Sequence, residues 1–350
     1  MNLQIYSAKV TDKARWNQYV HTHPQATAYH NFSWAQSVEQ AYGHPNVSQI
    51  ALIDDKIIGV LPVIKMTTPL SGHFYCSLPF CDIGHALADN EQIITALLDK
   101  LHSMKNSSRA KKIEYRDTCV RVESVTAPDE PQGKKVRMLL PLPETSAELL
   151  KSFKSKLRSQ IHKSEKNGLT YQIGNSTELL DAFYQIFIHN MRKLGSPVHS
   201  KDWYRALREN YQNDFIISIV YTEKTAIGAG IVLRNNSKAC IPWASTLAEY
   251  NRLAPNMLLY WSLLKEMTDS GAKEFDFGRS TFGEGTFKFK QQWGAQPLPL
   301  HWFLPGQGQL PSKQSTNSSK LRKIVEQTWP KLPIGITTLI GPRIRKYISL

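Results

Sequence analysis

The organisation of this chain can be followed outward from the stretch FIISIVYTEKTAIGAGIVLRN, residues 215–235. Two segments rich in β-branched residues flank a short polar turn, a pattern that predicts an antiparallel hairpin. The stretch QIALIDDKIIGVLPVIKM, residues 49–66, has the same plan, and each second strand contains an Ile-Gly pair near its start. A hairpin that recurs in both halves of a chain indicates two related domains.

The segments that follow the two hairpins also match. Each hairpin leads to a helical segment and then to a short strand, which reads AKKIEYR at residues 110–116 and AKEFDFGR at residues 272–279. The shared order predicts that the two halves have the same fold.

Helices precede both hairpins. Apolar residues recur at helical spacing in residues 11–20 and 31–43, and Gly43 is a typical helix stop. In the second half, Asn175 and Glu178 fit a capping box at the start of a helix that Gly195 can end, so each half reads helix, helix, antiparallel strands, helix, strand.

A chain of 350 residues suggests two domains, at roughly 100–200 residues each. The linker-like stretch PLPETSAELL places the boundary near residue 145, giving domains at 1–145 and 146–305. The polar stretch GQGQLPSKQSTNSSK opens a third region, 306–350, which we expect to be a basic and partly flexible tail.

The charge and the cysteines limit the partners and the compartment. The formal net charge of +14 favours anionic partners such as RNA, nucleotides, acidic membranes or phosphorylated lipids. The four cysteines have no metal-ligand spacing and cannot form a disulfide framework, so we expect reduced thiols and a cytoplasmic protein. The sequence has neither a signal-peptide pattern nor an apolar run long enough to cross a bilayer.

The stretch FDFGRSTFGEGTFKFKQQWGAQP, residues 275–297, contains an aromatic residue, a lysine, two variable residues, an aromatic residue and a glycine from Phe289 to Gly294. It resembles the closing strand, loop and strand of the FemAB/FemX peptidyltransferases and their GNAT-fold relatives. Residues 156–169 resemble the basic helix of the same family, and residues 29–45 resemble its first-domain helix. Within the family, the chain looks most similar to the FemAB-like proteins associated with exosortase/PEP-CTERM systems.

The resemblance implies a fold of the α/β class (mixed α+β), with two tandem GNAT-like domains, each a mostly antiparallel sheet flanked by helices. It also implies transfer of an acyl or aminoacyl group to an amine, without a bound cofactor or metal, from aminoacyl-tRNA or acyl-CoA. Domains that bind acetyl-CoA usually hold the pyrophosphate on a glycine-rich loop at a helix N-terminus. The corresponding stretch YNRLAPNMLLYWSLL, residues 250–264, has no glycine, which argues against CoA and leaves the donor open.

Three residues are candidates for catalysis. By resemblance, Lys290 is the motif lysine that stabilises the oxyanion formed when an amine attacks an ester or thioester. The alternative is an outward lysine on an amphipathic strand, in which Lys288 and Lys290 share the polar face. Asp276 and Glu284 are the nearest candidates for the base, although carboxylates beside basic strands are more often ion-pair partners.

The helix predicted at residues 150–166 has an apolar stripe and a basic face. Arg158, His162 and Lys163 are candidate ligands for a phosphorylated substrate, and Arg158 matches the family motif. The alternative is a solvated helix without a ligand.

Four further residues are candidates for substrate binding. Arg279 follows a strand beside a glycine-containing loop, and Asn256 is either a helix cap or an anion ligand. Phe289 and Trp293 belong to the motif, where aromatic residues form either the core or the wall of a pocket.

Three functions remain in competition. The first is FemAB-like N-acyl transfer to a phosphorylated or lipid-linked precursor of the cell envelope or of an exopolysaccharide, with tRNA as a possible partner. The second is a CoA-dependent acetyltransferase of polysaccharide biosynthesis, and the third is a non-catalytic RNA- or membrane-binding protein with a degenerate acyltransferase fold.

The tail allows two interpretations. Residues 320–350 carry seven Lys and Arg residues against one acid, Glu326, and they alternate with apolar residues. This composition is typical of peripheral contact with an anionic membrane, while packing of the apolar residues on the second domain is the alternative. Because Pro330, Pro333 and Pro342 interrupt the stretch, we expect a broken helix.

Overall fold

The computed structural model describes residues 2–69, 72–117, 135–304, 308–309 and 326–350. The chain divides into two compact units. The N-terminal unit contains Met1–Glu130, Pro299–Pro311 and Lys346–Leu350, and the C-terminal unit contains Pro131–Leu298 and Ser312–Arg345. This division differs from the predicted boundaries at 145 and 305. Residues 299–311 and 346–350 return to the N-terminal unit, and residues 312–345 return to the C-terminal unit. The predicted mobile stretch at 306–320 lies almost wholly outside the described residues.

The N-terminal unit has two sheets, in the orders β1-β2-β3-β6 and β16-β15-β7-β5-β4. Its described strand pairs are antiparallel except for β5 with β7. The elements are β1 Gln4–Ser7, α1 Lys13–Thr22, α2 Phe32–Tyr42, β2 Gln49–Ile53, β3 Lys56–Leu61, β4 Ile64–Thr68, β5 Gly72–Cys76, β6 Leu87–Ala88, α3 Glu91–Ser108, β7 Ile113–Asp117, β15 His301–Leu304 and β16 Gly308–Gln309.

The C-terminal unit has one seven-stranded sheet in the order β14-β8-β13-β12-β11-β10-β9. Helices flank it, and β12 with β13 is a parallel pair. The elements are β8 Lys135–Pro141, α4 Ser146–Ser152, α5 Ser155–Lys166, β9 Leu169–Gly174, α6 Thr177–Lys193, α7 Lys201–Tyr211, β10 Phe215–Thr222, β11 Thr225–Asn235, β12 Lys238–Thr246, α8 Pro255–Asp269, β13 Glu274–Thr281, α9 Gly285–Gln292, β14 Gln296–Pro299 and a C-terminal helix, Ile334–Arg345.

The predicted repeat is present. Both units contain two helices, antiparallel strands, a helix and a strand in that order. The glycines of the repeated Ile-Gly pairs lie where a helix comes close to the sheet: a Cβ on Gly59 would lie 2.7 Å from Ile93 on α3. In the second repeat, Gly228 and the nearby Gly230 lie beneath α8, and a Cβ on Gly230 would lie 3.0 Å from Leu263. The missing side chains therefore let the crossover helix pack directly on the hairpin.

Two helix predictions need correction. The cap of α6 is Ser176, whose hydroxyl accepts from Leu179 N at 3.3 Å, and not Asn175. The single helix predicted at 150–166 is two helices, because Phe153 and Lys154 have extended ψ angles of 147°. The apolar stripe is nevertheless buried: Phe153, Leu157 and Ile161 are at most 5% exposed.

The last residues of the chain are part of the N-terminal unit. The buried Arg116 donates from Nη2 to the carbonyl of Ser349 at 2.9 Å, and His44 Nε2 lies 2.8 Å from the carbonyl of Lys346. Phe80 N also donates to Ser349 O, at 2.6 Å. These residues therefore supply acceptors to the Phe80 amide, to His44 and to Arg116, which also donates to the carbonyls of Leu78 and Cys81.

Deletion of residues 346–350 should destabilise the protein. Arg116 and the Phe80 amide would each lose an acceptor, which at about 1–3 kcal/mol for each buried group lowers the free energy of unfolding by about 2–6 kcal/mol. Denaturant unfolding of the full chain and of the deletion measures this difference. Deletion of Leu350 alone keeps Ser349 and is the control; an equal loss of stability in both variants would contradict the role of Ser349.

Candidate functional site

The site lies where β12 and β13 separate. The two strands pair over only three residue pairs, which end at Cys240 with Asp276. β12 continues to Thr246 and pairs with β11 on its other side, while β13 continues beside β8. Within the described residues, no strand therefore pairs with the β13-facing edge of residues 241–246.

A buried ion pair holds β13 at this point. Arg137 on β8 donates from Nε to Asp276 Oδ2 at 2.6 Å, and the two residues are 8% and 2% exposed. Burial disfavours the charged guanidinium, but the carboxylates of Asp276 and Glu274 outweigh this effect and raise the pKa of Arg137. The other oxygen of Asp276 accepts from Gly278 N at 2.8 Å. This arrangement supports the ion-pair interpretation of Asp276 rather than a role as the base.

A bulge follows the ion pair. The register between β13 and β8 shifts between Asp276 and Arg279, and Gly278 has a φ of +73°, which favours glycine. Lys290 donates from Nζ to the carbonyl of Gly278 at 3.1 Å and to that of Arg279 at 2.8 Å. The lysine of the motif is thus a buried cation, 8% exposed, at the bulge in β13.

Lys290 lies on α9, and the expected amphipathic strand is wrong. Phe287 and Lys290 both face inward, three residues apart, while Lys288 is exposed. The spacing of Phe287 with Lys290 and of Phe289 with Trp293 is helical, and this was the signal in the sequence that the alternation of Phe and Lys obscured.

The aromatic residues of the motif belong to the core. Trp293 is fully buried, with its ring 5.5 Å from that of Phe153 and 6.1 Å from that of Tyr260. Phe289 is partly buried, 5.0 Å from the ring of Tyr260. Burial raises the pKa of Tyr260 to about 12, so this hydroxyl stays protonated at neutral pH. These positions fit the interpretation that the aromatic residues form the core rather than the wall of a pocket.

The basic face of α5 is present, but its members differ in their contacts. Arg158 donates from Nη1 to the carbonyl of Phe153 at 2.5 Å, which supports the break between α4 and α5. His162 is exposed and its Nδ1 lies 3.2 Å from Glu165 Oε2. Lys163 is exposed. A shallow depression on this helix is lined by Ser159, His162, Lys163, Glu165 and Lys166.

The last turn of α5 lies beside the start of α8. Asn167 Nδ2 donates to the carbonyl of Leu253 at 3.1 Å. Leu253 directly precedes Ala254, the N-cap residue of α8. The structure therefore brings Lys163 and Lys166, both in that last turn, near the α8 N-terminus.

The start of α8 has few backbone amides that could hold a pyrophosphate. Its N-cap residue Ala254 has a left-handed backbone conformation, and Pro255 has no N–H. Met257 N already donates to Ala254 O at 3.0 Å. Asn256 accepts from Thr246 Oγ1 at 3.2 Å and does not cap the helix, which corrects that expectation.

The other candidates lie around the same strand. Arg279 is within β13, two residues before its end, and Glu284 is exposed at the N-cap position of α9 without a capping hydrogen bond. Sequence reasoning missed Arg137, because nothing in the sequence near it indicates a partner 139 positions away.

The comparisons with known proteins agree with this fold. Residues 151–291 match the family described as "Acetyltransferase (GNAT) domain". FemX is 14% identical, with 93% of this chain and 100% of that chain covered and a TM-score of 0.68. No curated protein matches the sequence significantly.

Two more solved structures are similar over most of the chain. The C-terminal domain of a putative lysylphosphatidylglycerol synthetase from Agrobacterium fabrum is 11% identical, covering 92% of this chain and 97% of its own, with a TM-score of 0.53. A tandem GNAT protein from the clavulanic acid biosynthesis pathway is 10% identical, covering 90% and 100%, with a TM-score of 0.52.

The chain is therefore a two-domain protein of the GNAT fold, and its matched domain places it among the acyltransferases. Across both units, the fold is similar to that of FemX.

Replacing Lys290 should lower the stability of the protein as well as change the site. Replacement of an exposed lysine would change the melting temperature little, but Lys290 is buried. Lys290→Ala leaves two carbonyls without their charged donor, and we expect the free energy of unfolding to fall by about 2–4 kcal/mol. Lys288→Ala, on the exposed side of the same helix, is the matched control and should change it little. Equal stability of the two variants in denaturant unfolding would contradict the buried contacts.

Proposed function

We propose that the C-terminal unit transfers an acyl or aminoacyl group to an amine of a precursor of the cell envelope or of an exopolysaccharide. The observation that carries this proposal is the separation of β12 from β13 beside the Lys290-bound bulge. The reacting end of the acyl donor lies along the edge of residues 241–246, which no described strand pairs with on the side of β13.

The reaction is direct transfer between two bound substrates. The amine attacks the donor carbonyl, and the resulting tetrahedral intermediate carries an oxyanion that a fixed cation stabilises. The intermediate then collapses with cleavage of the ester or thioester bond, and the donor leaves as an alcohol or a thiol that takes up a proton. Lys290 is a buried cation at the bulge that follows the point of separation, and it donates to the carbonyls of Gly278 and Arg279. Glu284, exposed at the start of α9, is our candidate base for the proton that the attacking ammonium loses.

The acceptor is an anionic molecule. The exposed cations of α5 and the depression beside them lie next to the start of α8, as the hydrogen bond from Asn167 to Leu253 requires. A phosphate group of a phosphorylated or lipid-linked precursor suits Lys163 and Lys166 there. The name of the Agrobacterium fabrum neighbour, which includes an aminoacyl group and a phospholipid, is consistent with such chemistry.

We favour aminoacyl-tRNA over acyl-CoA as the donor. Ala254, Pro255 and Met257 leave the first turn of α8 poor in free amides, and the net charge of +14 suits a polyanion. The matched family's description as acetyltransferase supports the second candidate, a CoA-dependent acetyltransferase of polysaccharide biosynthesis.

Calorimetric titration distinguishes the two donors. We expect acetyl-CoA to bind weakly or not at all, because the amides that would hold its pyrophosphate are missing or already bonded. Aminoacyl-tRNA should bind with an affinity that falls as salt rises. Micromolar acetyl-CoA binding would instead establish the acetyltransferase, and failure of both donors would support a non-catalytic protein.

Loss of the Lys290 cation should lower turnover with the donor that binds. Removal of one oxyanion donor lowers kcat by about 10²-fold or more, and Lys290→Ala should show this after correction for the folded fraction. Lys288→Ala should retain wild-type turnover. Wild-type turnover per folded molecule of Lys290→Ala would remove this lysine from the mechanism.

A further inference from the structure

The C-terminal helix turns its large aliphatic side chains toward solvent. Ile336, Leu339, Ile340 and Ile344 are 42%, 59%, 38% and 41% exposed, and their positions follow the helical pattern i, i+3, i+4, i+8. Together with the exposed Arg343, which lies among them, they form one face of the helix, which we call the exposed stripe. A helix that only covered the protein core would point these side chains inward.

Small residues make the inward face. Thr337 and Gly341 are the buried residues of this helix, and a Cβ on Gly341 would lie 3.1 Å from Val198 N. The helix also packs on α6, and Arg192 of α6 donates to Leu332 O at 2.6 Å. The tail thus packs on the C-terminal unit, as one of its two interpretations predicted. Its small residues face the protein and its large aliphatic residues face solvent, which is the reverse of an ordinary surface helix. Pro342 lies within this helix, so the expected break at that residue is wrong.

The charged residues that follow Glu326 along the chain have one sign. After Glu326 the sequence has no acidic residue, and it contains Lys331, Arg343, Arg345 and Lys346. Arg343 is exposed on the same face as Ile340 and Ile344. A cationic rim beside exposed aliphatic side chains complements a surface that is apolar inside and anionic at its boundary.

We propose that the exposed stripe of the C-terminal helix docks this protein on a membrane surface that contains anionic lipid. A second copy of the chain is a poorer occupant, because two such faces would bring the same positive charges together. The twelve-residue helix is about 18 Å long, so it lies along the surface. Among the described residues, no helix is long and apolar enough to cross a bilayer.

The membrane contact of the C-terminal helix does not depend on the transfer reaction. It would bring the basic C-terminal unit to a lipid-linked acceptor, but the membrane contact is measured without any substrate. A negative result in the donor titrations would leave it unaffected.

Sedimentation of the full-length protein with vesicles tests the proposal. We expect binding to phosphatidylcholine vesicles that contain phosphatidylglycerol, little binding to phosphatidylcholine alone, and a loss of binding in high salt. The double substitution Leu339→Ser with Ile340→Ser should lower the partition coefficient by about tenfold or more, because it removes two of the inserted side chains.

The control is Val10→Ser. Val10 is 60% exposed, as Leu339 is, but it is part of the N-terminal unit, so its substitution should not change binding. The double variant should also unfold at the wild-type denaturant concentration without vesicles, because its two side chains are already exposed.

Three results would overturn the proposal. The first is equal binding of wild type and double variant to the anionic vesicles, and the second is equal binding to anionic and neutral vesicles. The third is a wild-type dimer in solution that the double variant dissociates, which would assign the exposed stripe to a second copy of the chain.

Discussion

The C-terminal unit depends on the buried ion pair between Arg137 and Asp276. A carboxylate that is 2% exposed requires a charged partner, and Arg137 supplies it from the neighbouring strand at 2.6 Å. Asp276 is also the last residue of β13 that pairs with β12. The ion pair therefore fixes β13 to β8 at the point where β13 leaves its parallel neighbour, and the open edge of β12 follows from that attachment.

The same short segment of β13 organises the candidate site. Asp276 accepts from Gly278 N, and Lys290 of α9 donates to the carbonyls of Gly278 and Arg279. The bulge is thus held by charged groups on both sides, so its backbone is preorganised before any substrate binds. Behind it, Trp293 packs against Phe153 and Tyr260 and connects α9 to α4 and α8. The motif that the resemblance emphasises is as much a structural connection as a candidate catalytic group.

The fold does not identify the substrate, and the residues at the start of α8 and at the end of α5 distinguish between the donors. Proteins with this fold serve different chemistries, so the assignment must come from the site. Here the start of α8, with Ala254 and Pro255, offers little to a pyrophosphate, while the last turn of α5 beside it offers Lys163 and Lys166. These features favour an anionic acceptor and a donor other than CoA.

The sequence by itself determined the order of helices and strands and their repetition, because the periodicity of apolar residues and the turns between them are local properties. The Ile-Gly pairs of both hairpins even marked where α3 and α8 pack. The sequence could not place Arg137 against Asp276, return residues 346–350 to the N-terminal unit, or turn the C-terminal helix outward. Each of these depends on contacts between residues far apart in the chain. At α9, the alternation of Phe and Lys favoured a strand, and only packing of Phe287 and Lys290 on the same inward face decided for a helix.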